Sequence, residues 1–219
     1  MAKPQNADIR RSAPRLYLVT PPIGEVEGFA DSLGQAIAAA DVAALLVRLK
    51  SDAERTLIDR VKRLASIAQP QGVALLIDGQ ADLVARAGAD GAHLPGIEAF
   101  TAVVASLKPE RIAGCGGLRT RHDAMLAGER AADYVMFGDP GADARRPSFE
   151  AIVERIEWWA GLFEIPCVGF AATVEEIAPL TAAGADFVAI GGALWDDPRG
   201  AAASVADAAA RLVSPAAVP

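Results

Sequence analysis

Arg48 and Lys50 lie two apart at the end of an apolar run, Ala43–Val47. In an extended strand such residues share a side, so both cations point the same way. A pair of this kind suits a phosphate or a diphosphate, through charge-assisted hydrogen bonds. The alternative is two ordinary polar residues at a strand end. Two carboxylates follow similar runs: Asp78, after Val73–Ile77, and Glu98, in His93-Leu94-Pro95-Gly96-Ile97-Glu98. Facing each other across a mouth, they would offer the oxygen ligands that Mg²⁺ takes. Glu98 also reads as a solvated carboxylate in a first helical turn, where the dipole favours it. His93 closes a strand-like run as a general base, a phosphate contact or a hydrogen-bonded core histidine. His122, beside Asp123, reads as surface.

The elements that must position these residues are marked by a short repeat. Ala-Asp-Val at 40–42, Gly-Ala-Asp-Gly at 88–91, Ala-Ala-Asp-Tyr at 131–134 and Gly-Ala-Asp-Phe at 184–187 each precede an apolar run. Small residues close a helix, an Asp follows, and a strand begins; Gly88 and Gly184 suit a left-handed helix exit. Further strand-like runs lie between, at Leu16–Thr20, Val73–Ile77, Ile112–Cys115 and Pro166–Phe170, giving eight in all. They are apolar without alternation, as in strands covered on both faces. Helical spacing separates them, clearest over Asp52–Ala68 and Phe149–Phe163, and Thr173-Val174-Glu175-Glu176 reads as a capping box. This pattern predicts a single (β/α)8 barrel over residues 15–213, between an N-terminal arm (1–14) and a frayed end (214–219). An open doubly wound sheet is the alternative fold. It would want a GxGxxG turn after the first strand, where the chain has Thr20-Pro21-Pro22-Ile23-Gly24.

A barrel puts its chemistry at the C-terminal ends of the strands, often with a phosphate at the loops after strands seven and eight. Gly191-Gly192 after strand eight, with Gly169 and Ala171 on strand seven, are therefore candidate phosphate contacts through backbone and a short helix start. Gly116, in Gly114-Cys115-Gly116-Gly117, offers amides to an anion or simply makes a turn. The segment Gly138–Arg146 reads as a lid with a cationic end, or as a solvated loop.

The formal charge is −7 over 219 residues, and no dense Lys/Arg run exists to displace counterions from nucleic acid. No apolar run reaches the roughly 18–20 residues of a membrane span. The two cysteines, Cys115 and Cys167, lack CxxC partners and read as buried thiols in a reducing, cytoplasmic compartment. Trp158-Trp159 offers an aromatic for a homodimer interface.

These stretches together resemble the thiamine phosphate synthase family, over about residues 15–196. Leu16-Tyr17-Leu18-Val19-Thr20 is similar to its "LYLIT" strand, and Arg48 and Lys50 match the cations of "QLREK". Asp78–Leu83 stands at "NDRVDL", Gly88–Leu94 matches "GADGVHL", and Tyr134–Gly138 resembles "YVGFG". Gly184–Ile190 resembles the "AGADGVAV" run. The resemblance implies a transferase of thiamine biosynthesis. It would join hydroxymethylpyrimidine diphosphate to a thiazole phosphate, with Mg²⁺ helping pyrophosphate leave. It also implies a metal role for Asp78 and Glu98, and a phosphate role for Arg146, at the Lys of "FPTxTK". Departures fall on that machinery: Leu46 replaces a Gln, Gly79 follows Asp78 where an Asp is usual, and Gly116 stands near a Ser. Ala171-Ala172 replaces Gly-Gly, and Gly192 replaces a Ser. Two other expectations stand beside the synthase. One is a metal-independent thiazole tautomerase-like enzyme, although its "SVHS" segment reads Gly116-Gly117-Leu118-Arg119 here. The other is a catalytically silent barrel that binds a phosphorylated ligand.

Overall fold

The computed structural model describes residues 13–140 and 145–212. Most of the expected arm, residues 141–144 of the expected lid and the expected frayed end lie outside them. Eight parallel strands pair in chain order and close into a barrel. They are β1 (Arg15–Val19), β2 (Val42–Val47), β3 (Ala74–Asp78), β4 (Gly91–Pro95), β5 (Ile112–Gly116), β6 (Tyr134–Phe137), β7 (Cys167–Ala171) and β8 (Phe187–Ile190). The helices are α1 (Glu27–Ala38), α2 (Glu54–Ala68), α3 (Val84–Ala87), α4 (Ile97–Leu107), α5 (Arg121–Glu129), α6 (Phe149–Leu162), α7 (Ile177–Ala182), α8 (Gly192–Trp195) and α9 (Ala201–Ala210). The chain is thus the single-domain (β/α)8 barrel its sequence pattern predicts.

Strand alternation divides the core in two. Leu16, Leu18, Leu45, Val47, Leu75 and Ile77 face outward and pack beneath the helices. Tyr17, Val19, Leu46, Leu76, Tyr134 and Met136 face inward with Val168 and Phe170 and fill the barrel. Each fully buried aliphatic side chain is worth roughly 1.5–3 kcal/mol, so strands apolar on both faces hold sheet and helices together. On α2 the predicted stripe of Leu57, Ile58, Val61, Leu64, Ala65 and Ala68 is buried.

The Asp repeat has a structural purpose at the end of the barrel away from the mouth. Asp90 Oδ2 accepts the Leu75 N–H at 2.7 Å, while the Asp90 N–H donates to the Leu75 carbonyl at 2.8 Å. Asp133 does the same with Ala113, at 2.7 and 2.9 Å, and Asp186 with Cys167, at 2.8 and 3.0 Å. The first member, Asp41, instead pairs with Arg15 at 2.7 Å. The Asp residues before β4, β6 and β8 thus each clamp the start of the preceding odd strand and satisfy backbone groups there.

Local details depart from the sequence reading. The expected capping box at Thr173 is absent: Val174–Glu176 form a 3₁₀ turn without a side-chain cap, and α7 starts at Ile177. A reciprocal box forms instead between Thr120 and Asp123 at the start of α5. Trp159 is fully buried, and Trp158 is part-buried beneath the Arg121 guanidinium, 4.9 Å from its ring. Neither is the exposed aromatic expected of an interface. Both cysteines are buried, reduced thiols, and His122 is exposed. Among the described residues no helix is long and apolar enough to cross a membrane.

Candidate active site

The end of β2 is extended by an isolated bridge to the loop after β1. The Ile23 N–H donates to the Arg48 carbonyl at 2.8 Å and the Lys50 N–H to the Ile23 carbonyl at 2.9 Å. Inward alternation therefore continues from Leu46 to Arg48 and Lys50. Arg48 is not a free cation: its Nε lies 3.0 Å from Asp78 Oδ2 on the next strand. Lys50 is exposed, and its side chain runs over Gly24, where a Cβ would stand 3.1 Å from Lys50 Cδ. It lines an open recess of about 550 Å³ together with Pro22, Ile23, Asp52 and Arg60.

Asp78 is paired to Arg48, while Glu98 is exposed in the first turn of α4. Among the described residues no three His, Cys, Asp or Glu side chains gather as a metal cluster. The described residues alone therefore form no cage for a cation. Mg²⁺ characteristically needs only one or two carboxylates when substrate phosphates supply the rest, so this donor set fits a metal that arrives with a diphosphate.

His93 is 3% exposed and lies inside the barrel. Its Nδ1 is 2.9 Å from the Tyr134 hydroxyl, which is 2.8 Å from the Tyr17 hydroxyl. Its Nε2 is 3.8 Å from Asp139 Oδ2. Both carboxylate oxygens of Asp139 accept the Gly117 N–H at 3.1 Å. Two glycines make room for this chain of groups. A Cβ on Gly114 would lie 2.0 Å from Tyr134 Cζ, and one on Gly116 would lie 2.4 Å from His93 Nε2. Burial pushes both phenols well above the ordinary value of 10.0. It also raises the Cys115 thiol to about 12, aided by the charges of Asp139 and Asp123.

On the opposite wall, Arg146 reaches back from the loop after β6. Its Nε donates to the Gly138 carbonyl at 3.1 Å and its Nη2 to the Phe170 carbonyl at 3.0 Å. The rest of the guanidinium grips Glu176 in a fork, at 3.0 and 2.6 Å. Glu176 also accepts the Ala172 N–H at 2.7 Å. That carboxylate would have closed the expected capping box; here it joins α7 to the β6 loop. Gly169 sits within β7 with its side-chain position against Ile156 and Leu180, and Ala171 faces the helices too. Neither turns toward the mouth. Gly191 is buried and caps the short α8, while Gly192 is exposed with open space around it. Trp195 on α8 fixes this loop by donating to the Val19 carbonyl at 2.7 Å.

The structure thus brings Arg48 to Asp78, and His93 to Gly116. It sets Arg146 apart with Glu176, and turns Gly169 and Ala171 outward. Sequence reasoning missed Tyr17, Tyr134, Asp139 and Glu176. The two tyrosines carried a signal, since they are the only ones in the chain and both fall at inward positions. Asp139 carried none, because it follows a strand whose loop matches no motif.

Residues 16–194 match the family model described as Thiamine monophosphate synthase. The chain is 40% identical to the thiamine-phosphate synthase of Rhodospirillum centenum, over 88% of this chain and 95% of that one. It is 38% identical to the thiamine-phosphate synthase of Hyphomonas neptunium, over 89% and 92%. Among solved structures, the thiamine phosphate pyrophosphorylase from Pyrococcus furiosus superposes with a TM-score of 0.74, at 19% identity, covering 90% of this chain and 95% of that one. With the match running through all eight strands, this chain belongs to the thiamine monophosphate synthase family.

Proposed function

We propose that this protein is a thiamine-phosphate synthase, a transferase of thiamine biosynthesis. It couples hydroxymethylpyrimidine diphosphate to thiazole phosphate and releases pyrophosphate. The observation that carries this reading is that Arg48 and Lys50 stand two apart beyond β2, Lys50 lining an open recess and Arg48 against Asp78, in a chain with close synthase relatives. The bond between the pyrimidine-bearing carbon and the diphosphate oxygen breaks, and charge develops on the leaving pyrophosphate. Arg48 and Lys50 bind that group and offset its charge, which is where preorganised cations help most. Gly192, with open space before it, is the proposed backbone contact for the thiazole phosphate, and Gly116 lines the floor between. Mg²⁺ would be held by Asp78 and Glu98 with the diphosphate, and would supply further charge neutralisation. Arg146 serves by holding the β6 loop against α7, and reaches a phosphate only if Glu176 releases it.

The test is incubation of the purified protein with both substrates and Mg²⁺, with chromatographic detection of thiamine phosphate and pyrophosphate. Formation of both in equal amounts supports the reading; binding of either substrate without product overturns it. That second outcome is what a silent, ligand-binding barrel gives, a reading favoured by the pairing of Asp78 to Arg48. The proposed cytoplasmic homodimer is checked by fractionation and sedimentation.

A further inference from the structure

Three polar groups are hydrogen-bonded in line through an otherwise apolar barrel, Tyr17, Tyr134 and His93, and the Asp139 carboxylate faces the last of them at 3.8 Å, beyond hydrogen-bond distance. The sequence motifs assign no role to Asp139, and the proposed reaction uses none. We infer that Asp139 is a positioning residue that sets the direction of this hydrogen-bond line and holds His93 as its Nε2–H tautomer.

An ionised carboxylate only accepts, and Asp139 already accepts the Gly117 N–H. Nε2 faces that carboxylate at 3.8 Å, where a bare lone pair would meet negative charge and an N–H is favoured. In a neutral imidazole Nδ1 is then the acceptor, and the hydrogen bond at one nitrogen fixes the role of the other. Tyr134 donates to Nδ1, and Tyr17 donates to Tyr134. Both phenols then donate to an acceptor, and the Nε2–H points at the carboxylate. Run the other way, Nδ1–H would donate to Tyr134 and Tyr134 to Tyr17. The Tyr17 O–H, 2% exposed and with Tyr134 as its hydrogen-bond partner among the described residues, would be left without one. A buried unpaired donor is costly, so the line has one favoured direction and Asp139 selects it.

Among the described residues, the groups packed around His93 include no other candidate for this task. Asp78 is its strand neighbour but is turned to Arg48, Tyr134 can donate or accept, and Gly116 and Gly114 have no side chains. The consequence is geometric: the imidazole edge is pinned over Gly116, at the end of β5 beside the mouth. His93 then has no free nitrogen to act as a general base. This assignment does not depend on the proposed activity; only its effect on turnover rests on that reading.

The experiment is nitrogen NMR of ¹⁵N-histidine-labelled protein. The chain has two histidines, and a His122→Gln variant assigns them. Wild-type His93 should show a protonated Nε2 and a bare Nδ1. In Asp139→Asn the negative charge facing Nε2 is gone, and the amide oxygen can meet the Gly117 N–H from either flip, so the Nδ1–H form should appear. In Tyr134→Phe, with Asp139 intact, the tautomer should stay Nε2–H. An unchanged tautomer in Asp139→Asn overturns the inference. So does inversion or a mixture in Tyr134→Phe, which also decides the matter if the Asn variant does not fold. With both substrates, Asp139→Asn should lower kcat by roughly ten- to a hundredfold, the usual scale for a lost orienting partner. KM for the diphosphate, held by Arg48 and Lys50, should change little. A wild-type protein with no coupling activity would refute the proposed function and leave the tautomer result standing.

Discussion

Arg48 Nε sits 3.0 Å from Asp78 Oδ2, so the strongest cation at the mouth faces its ligand already paired. Both side chains are about three-quarters buried, at 30% and 26% exposure, and a pair this accessible is worth about 1 kcal/mol or less. A diphosphate outcompetes the carboxylate for the guanidinium, because it brings more charge and more acceptor oxygens. Arg48→Ala should weaken pyrophosphate binding by roughly ten- to a hundredfold, from about 1.5–3 kcal/mol per charge-assisted contact. Asp78→Ala, measured without Mg²⁺, should leave that affinity equal or tighter, since it frees Arg48. Calorimetry with pyrophosphate reads both, and weaker binding in both variants would contradict the competition.

Lys50 offers a cleaner separation of binding from stability. It is exposed and its backbone, not its charge, closes the bridge to Ile23. Lys50→Ala should lower pyrophosphate affinity by about tenfold while shifting the urea midpoint little. A large loss of stability would mean that its chain over Gly24 is a packing element.

The tyrosines predict an alkaline transition. In the folded barrel both phenols titrate above the ordinary 10.0, and in the unfolded chain they return to it. The folded state therefore binds more protons than the unfolded state at high pH. Their contribution is fully present below pH 10.0 and is lost as pH rises toward the folded values. Phenolate absorbance should remain absent until the fold melts, then appear in one step with the loss of circular dichroism. Phenolate forming in a protein that is still folded would show that the pair is not sealed.

Gly114 and Gly116 should not tolerate alanine. The Cβ of Gly114→Ala would stand 2.0 Å from Tyr134 Cζ, within a closed sheet that cannot part. A loss of about 1–3 kcal/mol or more is expected in chemical denaturation. Tyr134→Ala added to Gly114→Ala should cost less than the two single losses combined, because one vacates the space the other needs.

At the far end of the barrel, Asp133→Ala should cost about 1–3 kcal/mol by stranding the Ala113 N–H. Michaelis constants for both substrates should stay near wild type, because the clamp lies at the opposite end from the mouth. A changed substrate affinity with unchanged stability would show that the repeat serves the site and not the frame.

The sequence by itself determined the frame. Apolar runs at regular spacing require strands buried on both faces, and the small-small-Asp repeat marks where helices end and strands start. Those are local facts, and the barrel follows from them. It also placed Arg48, Lys50 and Asp78 at strand ends, because alternation along one strand needs no partner; His93 instead lies within β4. Only the tertiary structure decided what those residues meet. Tyr17 and Tyr134 are 117 residues apart, and they touch because the barrel closes β1 against β8 and leaves Gly114 without a side chain. Asp139 beneath Gly117, Arg48 on Asp78 and Glu176 in the fork of Arg146 are likewise pairings between different strand ends. Hydrogen bonds and ion pairs are set by distances of a few ångströms across the mouth, and no periodicity along the chain encodes them.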